Sequence, residues 1–175
     1  MSATINADLF SSYFGNAPCI QIEGFTFPVT EYFLEDVVEM TDYALPQRSM
    51  YALRFQKGQH PRNLRTQYPR HSESTVDVLE RMNAEVVNND LIELLISHIT
   101  TNTVDGAILV FLPGMLEIKK LYDHLTRSEL LKDSPFNFQI HALHSTVDSD
   151  KQKAIFQRPS KNTVKVIVSF SRLFH

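Results

Sequence analysis

Residues 164–175 read VKVIVSFSRLFH, and the first half of that stretch decides the fold. Val164, Val166, Ile167 and Val168 place apolar side chains on both sides of a pleated strand. That pattern predicts a strand buried on both faces, as inside a parallel sheet. Parallel neighbours need crossovers of a dozen or more residues, usually through a helix. The preceding residues supply them. Leu91, Ile92, Leu95 and Ile99 form a helical stripe behind an Asn-Asp cap, and Ala107–Leu112 is an apolar strand stopped by Pro113-Gly114. Ile118, Leu121, Tyr122 and Leu125 make a second helical stripe; 138–143 reads as a strand, 148–156 as a helix and 164–169 as the last strand. Strand, helix, strand, helix, strand predicts an α/β fold with a parallel sheet and right-handed crossovers.

Upstream the pattern is less regular. Asn6 as N-cap, Asp8 in the first turn and Gly15-Asn16 as the stop predict a short helix over 6–14, with Leu9, Phe10, Tyr13 and Phe14 on one face. Cys19–Ile22 and Val29–Leu34 read as two short strands. From Tyr43 to about His71 periodicity is lost and Pro46, Gly58, Pro61 and Pro69 interrupt the chain, which predicts a long polar surface insertion. Ser74-Thr75-Val76, with Asp77 placed for a capping box, predicts a helix running to about Met82.

The totals, 175 residues with 43% apolar and 21% charged side chains, suit one globular domain or parts of two. The longest apolar run, Ala107–Leu112, is far too short to cross a bilayer, and no basic flank with an apolar stretch follows Met1. Membrane and secretory roles are therefore not expected. Cys19 is the single cysteine, so no internal disulfide can form and a reducing, intracellular compartment is the expectation. The formal charge of −3 hides an asymmetry. No Lys or Arg precedes Arg48, whereas Arg48, Arg54, Lys57, Arg62, Arg65 and Arg70 occur between Asp42 and Glu73 with no acid among them. Such a run is either a hydrated loop or a grip on a polyanion.

Few familiar active sites are available. The five glycines, Gly15, Gly24, Gly58, Gly106 and Gly114, are too scattered for a phosphate-binding loop or a dinucleotide fingerprint. His141 and His144, with Asp148, suggest a metal, but residues three apart on a strand point to opposite faces. Cys19 is expected to be a small buried hydrophobe rather than a nucleophile. Four stretches retain chemical flavour: Ser2-Ala3-Thr4 before a helix cap, Leu112-Pro113-Gly114 at a strand tip, His144-Ser145-Thr146 at the next, and Phe156 near a helix end before Arg158-Pro159. Taken singly, each reads as a cap, a turn or core.

Taken in order, they resemble one family. MSATINADLFSSYFGNAPCIQIEGFTFPV (1–29) looks like the motif III region of DEAH/RHA-type RNA helicases. GAILVFLPGMLEIKKLYDHL (106–125) resembles their motif IV, and IHALHSTVDSDKQKAIFQRP (140–159) their motif IVa and the helix behind it. GFTFPVTEYFLEDVVE (24–39) and STVDVLERM (74–82) are most similar to the branch that resolves G-quadruplexes. The resemblance implies two RecA-like, P-loop NTPase-type lobes that close on ATP and Mg²⁺ and unwind or remodel RNA. Residues 1–24 would be the tail of the first lobe. Residues 25–175 would be a partial second lobe with a basic insertion at about 43–72. Ser2, Ala3 and Thr4 would couple hydrolysis to strand movement, and Phe156 would pack against the adenine. Gly114, His144 and Ser145 would touch the nucleic-acid backbone, with Arg62 and Arg65 from the basic run as further contacts.

Departures from the family are equally informative. The phosphate-binding loop, the Asp-Glu-x-His strand and the arginine-rich motif VI have no counterpart, and the match stops after Ser169. The resemblance thus implies a fragment from a truncated or mis-joined coding sequence, without hydrolytic activity of its own and without tight ATP or Mg²⁺ binding. The rest of the motor would be its missing partner, in cytoplasm or nucleus. The rival reading is a short, non-catalytic RNA- or protein-interaction protein that uses the Arg48–Arg70 run. An unpaired last strand would also leave an apolar edge prone to aggregation.

Overall fold

A computed structural model describes residues 7–20, 27–54, 63–102, 106–143 and 155–170. The chain divides into two units, Met1–Glu31 and Tyr32–His175. In the first, α1 (Ala7–Tyr13) carries Asp8 in its first turn and buries none of its residues. It ends where Gly15 and Asn16 turn left-handed, at φ 72° and 59°. Glycine bears that conformation without steric cost, and asparagine is among the few other residues that visit it. Residues 17–20 are irregular and Cys19 is exposed, so the expected strand at 19–22 is absent over its described part and the cysteine is not a core residue.

In the second unit the predicted sheet is present. β1 (Ala107–Leu112), β2 (Asn137–Leu143) and β3 (Thr163–Phe170) are parallel in the order β1-β3-β2. In register, Ala107 and Gln139 flank Lys165, while Leu109 and His141 flank Ile167. β3, last in sequence, is central in space and pairs on both sides. The expected unpaired last strand is therefore corrected: the edges are β1 and β2, and the apolar exposure lies on a face, where Leu109 and Phe111 are each 57% exposed.

One face carries Val166 and Val168 against Leu112, Ile118, Leu121, Leu125, Leu131 and Ile96. These come from α5 (Met115–Arg127), α6 (Glu129–Lys132) and α4 (Asn89–Asn102). Ile118, Leu121 and Leu125 are the i, i+3, i+7 stripe of α5, as the spacing predicts. On α4 the most buried residues are Leu91, Ile96 and Thr100, so the burial face is rotated from the stripe expected at Leu91, Ile92, Leu95 and Ile99. An apolar helix with packing on two sides does not reveal which side is deepest. The chain crosses from β1 to β2 through α5, then returns from β2 to β3 past Ile155. Because the direction reverses, a common hand requires the two crossovers to lie on opposite faces of the sheet. They do: α5 covers the Val166 face, and Lys165, on the other, reaches the Ile155 carbonyl. Of the helix expected over 148–156, Ile155–Phe156 is helical and the remainder lies outside the described residues.

A second core gathers Val38, Tyr43, Leu45, Tyr51, Val78, Met82 and Leu91. It is built on α2 (Leu34–Thr41) and α3 (Glu73–Arg81). The strand expected at 29–34 is not formed: 27–33 is irregular and Leu34 opens α2. Alternation without a partner strand to complete the ladder makes no sheet. Asp36 instead closes the helix start, its carboxylate accepting the Phe33 N–H at 2.8 Å. α3 is capped by Ser72, whose hydroxyl accepts the Thr75 N–H, two residues before the expected cap. Asp77, expected in a capping box, pairs with Arg81 one turn on. The stretch from Tyr43 to His71 is not all surface, because Tyr43, Leu45 and Tyr51 are core residues.

Candidate functional site

The sheet register aligns the ends of the strands. Leu112 lies beside Phe170, and Leu143 beside Ser169. Pro113-Gly114 and the segment leaving β2 therefore depart from one edge, on either side of β3. In open α/β sheets this carboxyl edge is where ligands bind. Gly114 is the N-cap of α5, in an extended conformation (φ −155°, ψ 166°) that any residue could adopt. Space rather than backbone angle favours glycine here: a Cβ would fall 2.5 Å from Glu117 Oε2. The Glu117 carboxylate thus lies across the first turn of α5, and a phosphate at that turn must move it aside. His144 and Ser145, expected beside Gly114, lie outside the described residues, as do Ser2, Ala3, Thr4 and Arg62.

Phe156 is 87% exposed, so it is not the core residue that a helix-end aromatic would ordinarily be. It sits on the opposite crossover face, level with the beginning of β3, where Lys165 reaches the carbonyls of both its neighbours. Lys165 pairs in register with Ala107, the first residue of β1. Five residues of strand, about 17 Å, separate that level from the Leu112 tip. The structure brings Gly114 and the exit of β2 to one edge and keeps Phe156 away from them. Beside Phe156 an open pocket of about 500 Å³ is lined by Gln139, His141, Gln157, Arg158 and Lys165 among others.

Lys165 and Arg158 are the basic residues in the lining of this pocket. Burial, and then the nearby Lys165 charge, hold the His141 imidazole below its ordinary value of 6.5, so it is neutral at pH 7. Its Nε2 is buried with no hydrogen-bond partner among the described residues. No group of three potential metal ligands occurs among those residues either. Of the basic run, Arg48, Arg54 and Arg70 are exposed, while Arg65 pairs with Glu73 at 3.0 Å. Arg65 thus has an acid partner from just beyond the run. Lys165 escaped the reading of the sequence, although one lysine in an otherwise apolar strand was the available signal.

No family model matches the chain. Individual proteins do. It is 40% identical to the ATP-dependent DNA/RNA helicase DHX36 of Bos taurus over 189 residues, covering 97% of the chain and 18% of that protein. The DExH-box ATP-dependent RNA helicase DExH1 of Arabidopsis thaliana is 38% identical over the same shares. The putative ATP-dependent RNA helicase DHX57 of Homo sapiens is 35% identical across 97% of the chain and 15% of its own length. The chain thus spans less than a fifth of each of these relatives. No helix among the described residues is long and apolar enough to cross a membrane. Over 97% of its length the chain, with its parallel β1-β3-β2 sheet, is similar to a stretch of DEAH/RHA-type (DExH-box) helicases.

Proposed function

We propose that the chain is a segment of an ATP-dependent, RNA-remodelling motor, most of it from the second RecA-like lobe. Residues 1–24 belong to the end of the first lobe and 25–175 to the second. Phe156 packs on the adenine of ATP. Gly114, His144 and Ser145 follow the nucleic-acid backbone, with Arg62 and Arg65 adding charge from the basic stretch. Ser2, Ala3 and Thr4 couple nucleotide state to lobe movement. RNA, G-quadruplexes included, is the partner, and the setting is intracellular. One observation carries this reading: 40% identity, over 97% of the chain, to a protein named as an ATP-dependent DNA/RNA helicase.

Alone, the chain holds no phosphate cradle, no Mg²⁺ carboxylate strand and no motif VI arginine. Phosphoryl transfer is accelerated mainly by positioning and charge stabilisation, so without those groups the isolated chain does not hydrolyse ATP. The test is a chimera in which residues 1–169 replace the matching stretch of the bovine relative. It should show RNA-stimulated ATP hydrolysis, and Phe156→Ala within it should raise the KM for ATP. A chimera that folds yet hydrolyses no ATP would overturn the assignment, as would RNA-stimulated turnover by the purified chain alone.

A further inference from the structure

We propose that Lys165 is a positioning residue: from the centre of the sheet it holds the backbone on both sides of Phe156 and so fixes the direction in which that ring is presented. This rests on the reading of Phe156 as the base-stacking residue. Lys165 is the third residue of β3 and only 3% exposed. Its Nζ donates to the Ile155 carbonyl at 2.7 Å and to the Gln157 carbonyl. Ile155 and Gln157 are the chain neighbours of Phe156, so one ammonium holds the peptide group that enters Phe156 and the one that leaves Gln157, on either side of an aromatic that itself faces solvent.

A helix end leaves its last carbonyls without intrahelical partners, and a cation there is favourable. A cap alone, however, needs neither a buried ammonium nor two carbonyls from either side of an exposed ring. Taking an ammonium out of water is costly unless its donors are satisfied, and these bonds offset that cost. What the arrangement supplies beyond a cap is a Phe156 backbone held from both ends, which sets its Cα–Cβ direction. An exposed ring held this way loses less freedom when a flat ligand stacks on it.

The test uses the full chain as wild type, Lys165→Met, Phe156→Leu and the double variant. Two measurements are made: amide exchange over 155–160, and NMR titration with adenosine monophosphate against ribose 5-phosphate as a base-free control. Lys165→Met should speed exchange at these amides at least tenfold, two charge-assisted hydrogen bonds being lost, while the amides of β1 keep their protection. It should weaken the base-dependent perturbation of the Phe156 ring about fivefold, the worth of one net hydrogen bond. The double variant should bind no more weakly than Phe156→Leu alone, because Lys165 acts through that ring.

Unchanged exchange at 155–160 in Lys165→Met overturns the proposal, as do independent, multiplying losses in the double variant. Failure of the stacking reading looks different: adenosine monophosphate and ribose 5-phosphate would perturb the wild-type Phe156 ring alike, and the exchange result alone would then decide the role of Lys165. Should Lys165→Met not fold, Lys165→Gln retains one shorter donor. It should give an intermediate exchange rate, and wild-type exchange in it would count against the proposal.

Discussion

The two cores of the second unit are of comparable size but are made differently. Beneath the sheet, Ile118, Leu121, Leu125, Val166 and Val168 come from a helix of period 3.6 and a strand with apolar residues on both faces. In the other core, Tyr43, Leu45 and Tyr51 come from irregular chain and meet Val38, Val78 and Leu91 from three helices and Met82 from the C-cap of α3. Regular elements satisfy their backbone hydrogen bonds locally or in ladders, so their side chains fall into repeating patterns. The irregular segment must find backbone partners far along the chain. The Leu53 N–H reaches the Arg81 carbonyl at 2.7 Å, and the Asn83 N–H reaches the Tyr51 carbonyl at 2.8 Å. Equal burial does not mean equal visibility in sequence.

The largest expected effect tests whether these cores are one cooperative structure. Leu121 is fully buried in the sheet core. Leu121→Ala should lower unfolding free energy by about 3–4 kcal/mol in urea titrations, the transfer term plus a cavity. α4 supplies Ile96 to the sheet core and Leu91 to the other, so the loss should appear in both. If amides of α2 and α3 keep wild-type exchange while those of β3 open, the cores are separate folding units and the comparison becomes one between two domains.

Next comes the polar hinge of the irregular core. Asn88 Oδ1 accepts the Leu91 N–H at 3.1 Å, capping α4, while its Nδ2 donates to the Tyr43 hydroxyl at 2.9 Å. Asn88→Ala removes a cap and deprives a buried hydroxyl of that partner, which together should cost about 2 kcal/mol. Asn88→Asp keeps the cap and should recover about half of that. A loss below about 0.5 kcal/mol for Asn88→Ala would mean that the irregular core is held by packing alone.

These positions show what could be read beforehand. The three strands, the stripe of α5 and the central, two-sided burial of β3 follow from spacing, because neighbours in sequence determine them. α2 was missed since LEDVVEMT follows a run that mimics strand alternation, and only the Phe33–Asp36 hydrogen bond distinguishes a helix start there. Tyr43, Leu45 and Tyr51 were missed because prolines and arginines between them look like surface. At the candidate site, Gly114 and Phe156 were visible as departures from strand and helix patterns. Lys165 was not, since its meaning depends on carbonyls eight and ten residues away.

Acid should separate the regions by the groups that titrate. In the sheet, His141 is held below its ordinary value of 6.5, so its contribution to stability is intact above 6.5 and falls as pH drops through that value to the lowered one. At the α2–α3 joint, Asp36 is lowered from 3.8 by the Phe33 N–H and then by His71, and Glu39 from 4.5 by the Thr75 hydroxyl and then by Ser72. Their contributions are complete above 4.5 and vanish as pH falls through the lowered values. Amide exchange at about pH 5 should therefore show loosening around β2 with α2 and α3 intact, and the helical joint should open only in stronger acid. His141→Gln should remove the first step and leave the second. Simultaneous opening of both regions would contradict this order.

The smallest effect belongs to the surface of α3. Arg65 Nη1 and Glu73 Oε1 are 3.0 Å apart, and both side chains are largely exposed. Water screens such a pair, and Glu73, in the first turn of α3, is already favoured there by the helix dipole. Arg65→Ala should therefore change unfolding free energy by no more than about 0.5 kcal/mol, with less effect still at high salt. A loss as large as that of Asn88→Ala would mean that the polar surface supports the irregular core as strongly as its buried contacts do. The same pair bears on the proposed RNA contact. A phosphate that uses Arg65 must compete with Glu73, so Glu73→Gln should tighten binding of single-stranded RNA at low salt, and Arg65→Ala should abolish that gain. Anisotropy titrations of the two variants and their combination measure both. If Glu73→Gln changes nothing while Arg65→Ala still weakens binding, the arginine reaches RNA without leaving its partner, and the ion pair belongs to the interface.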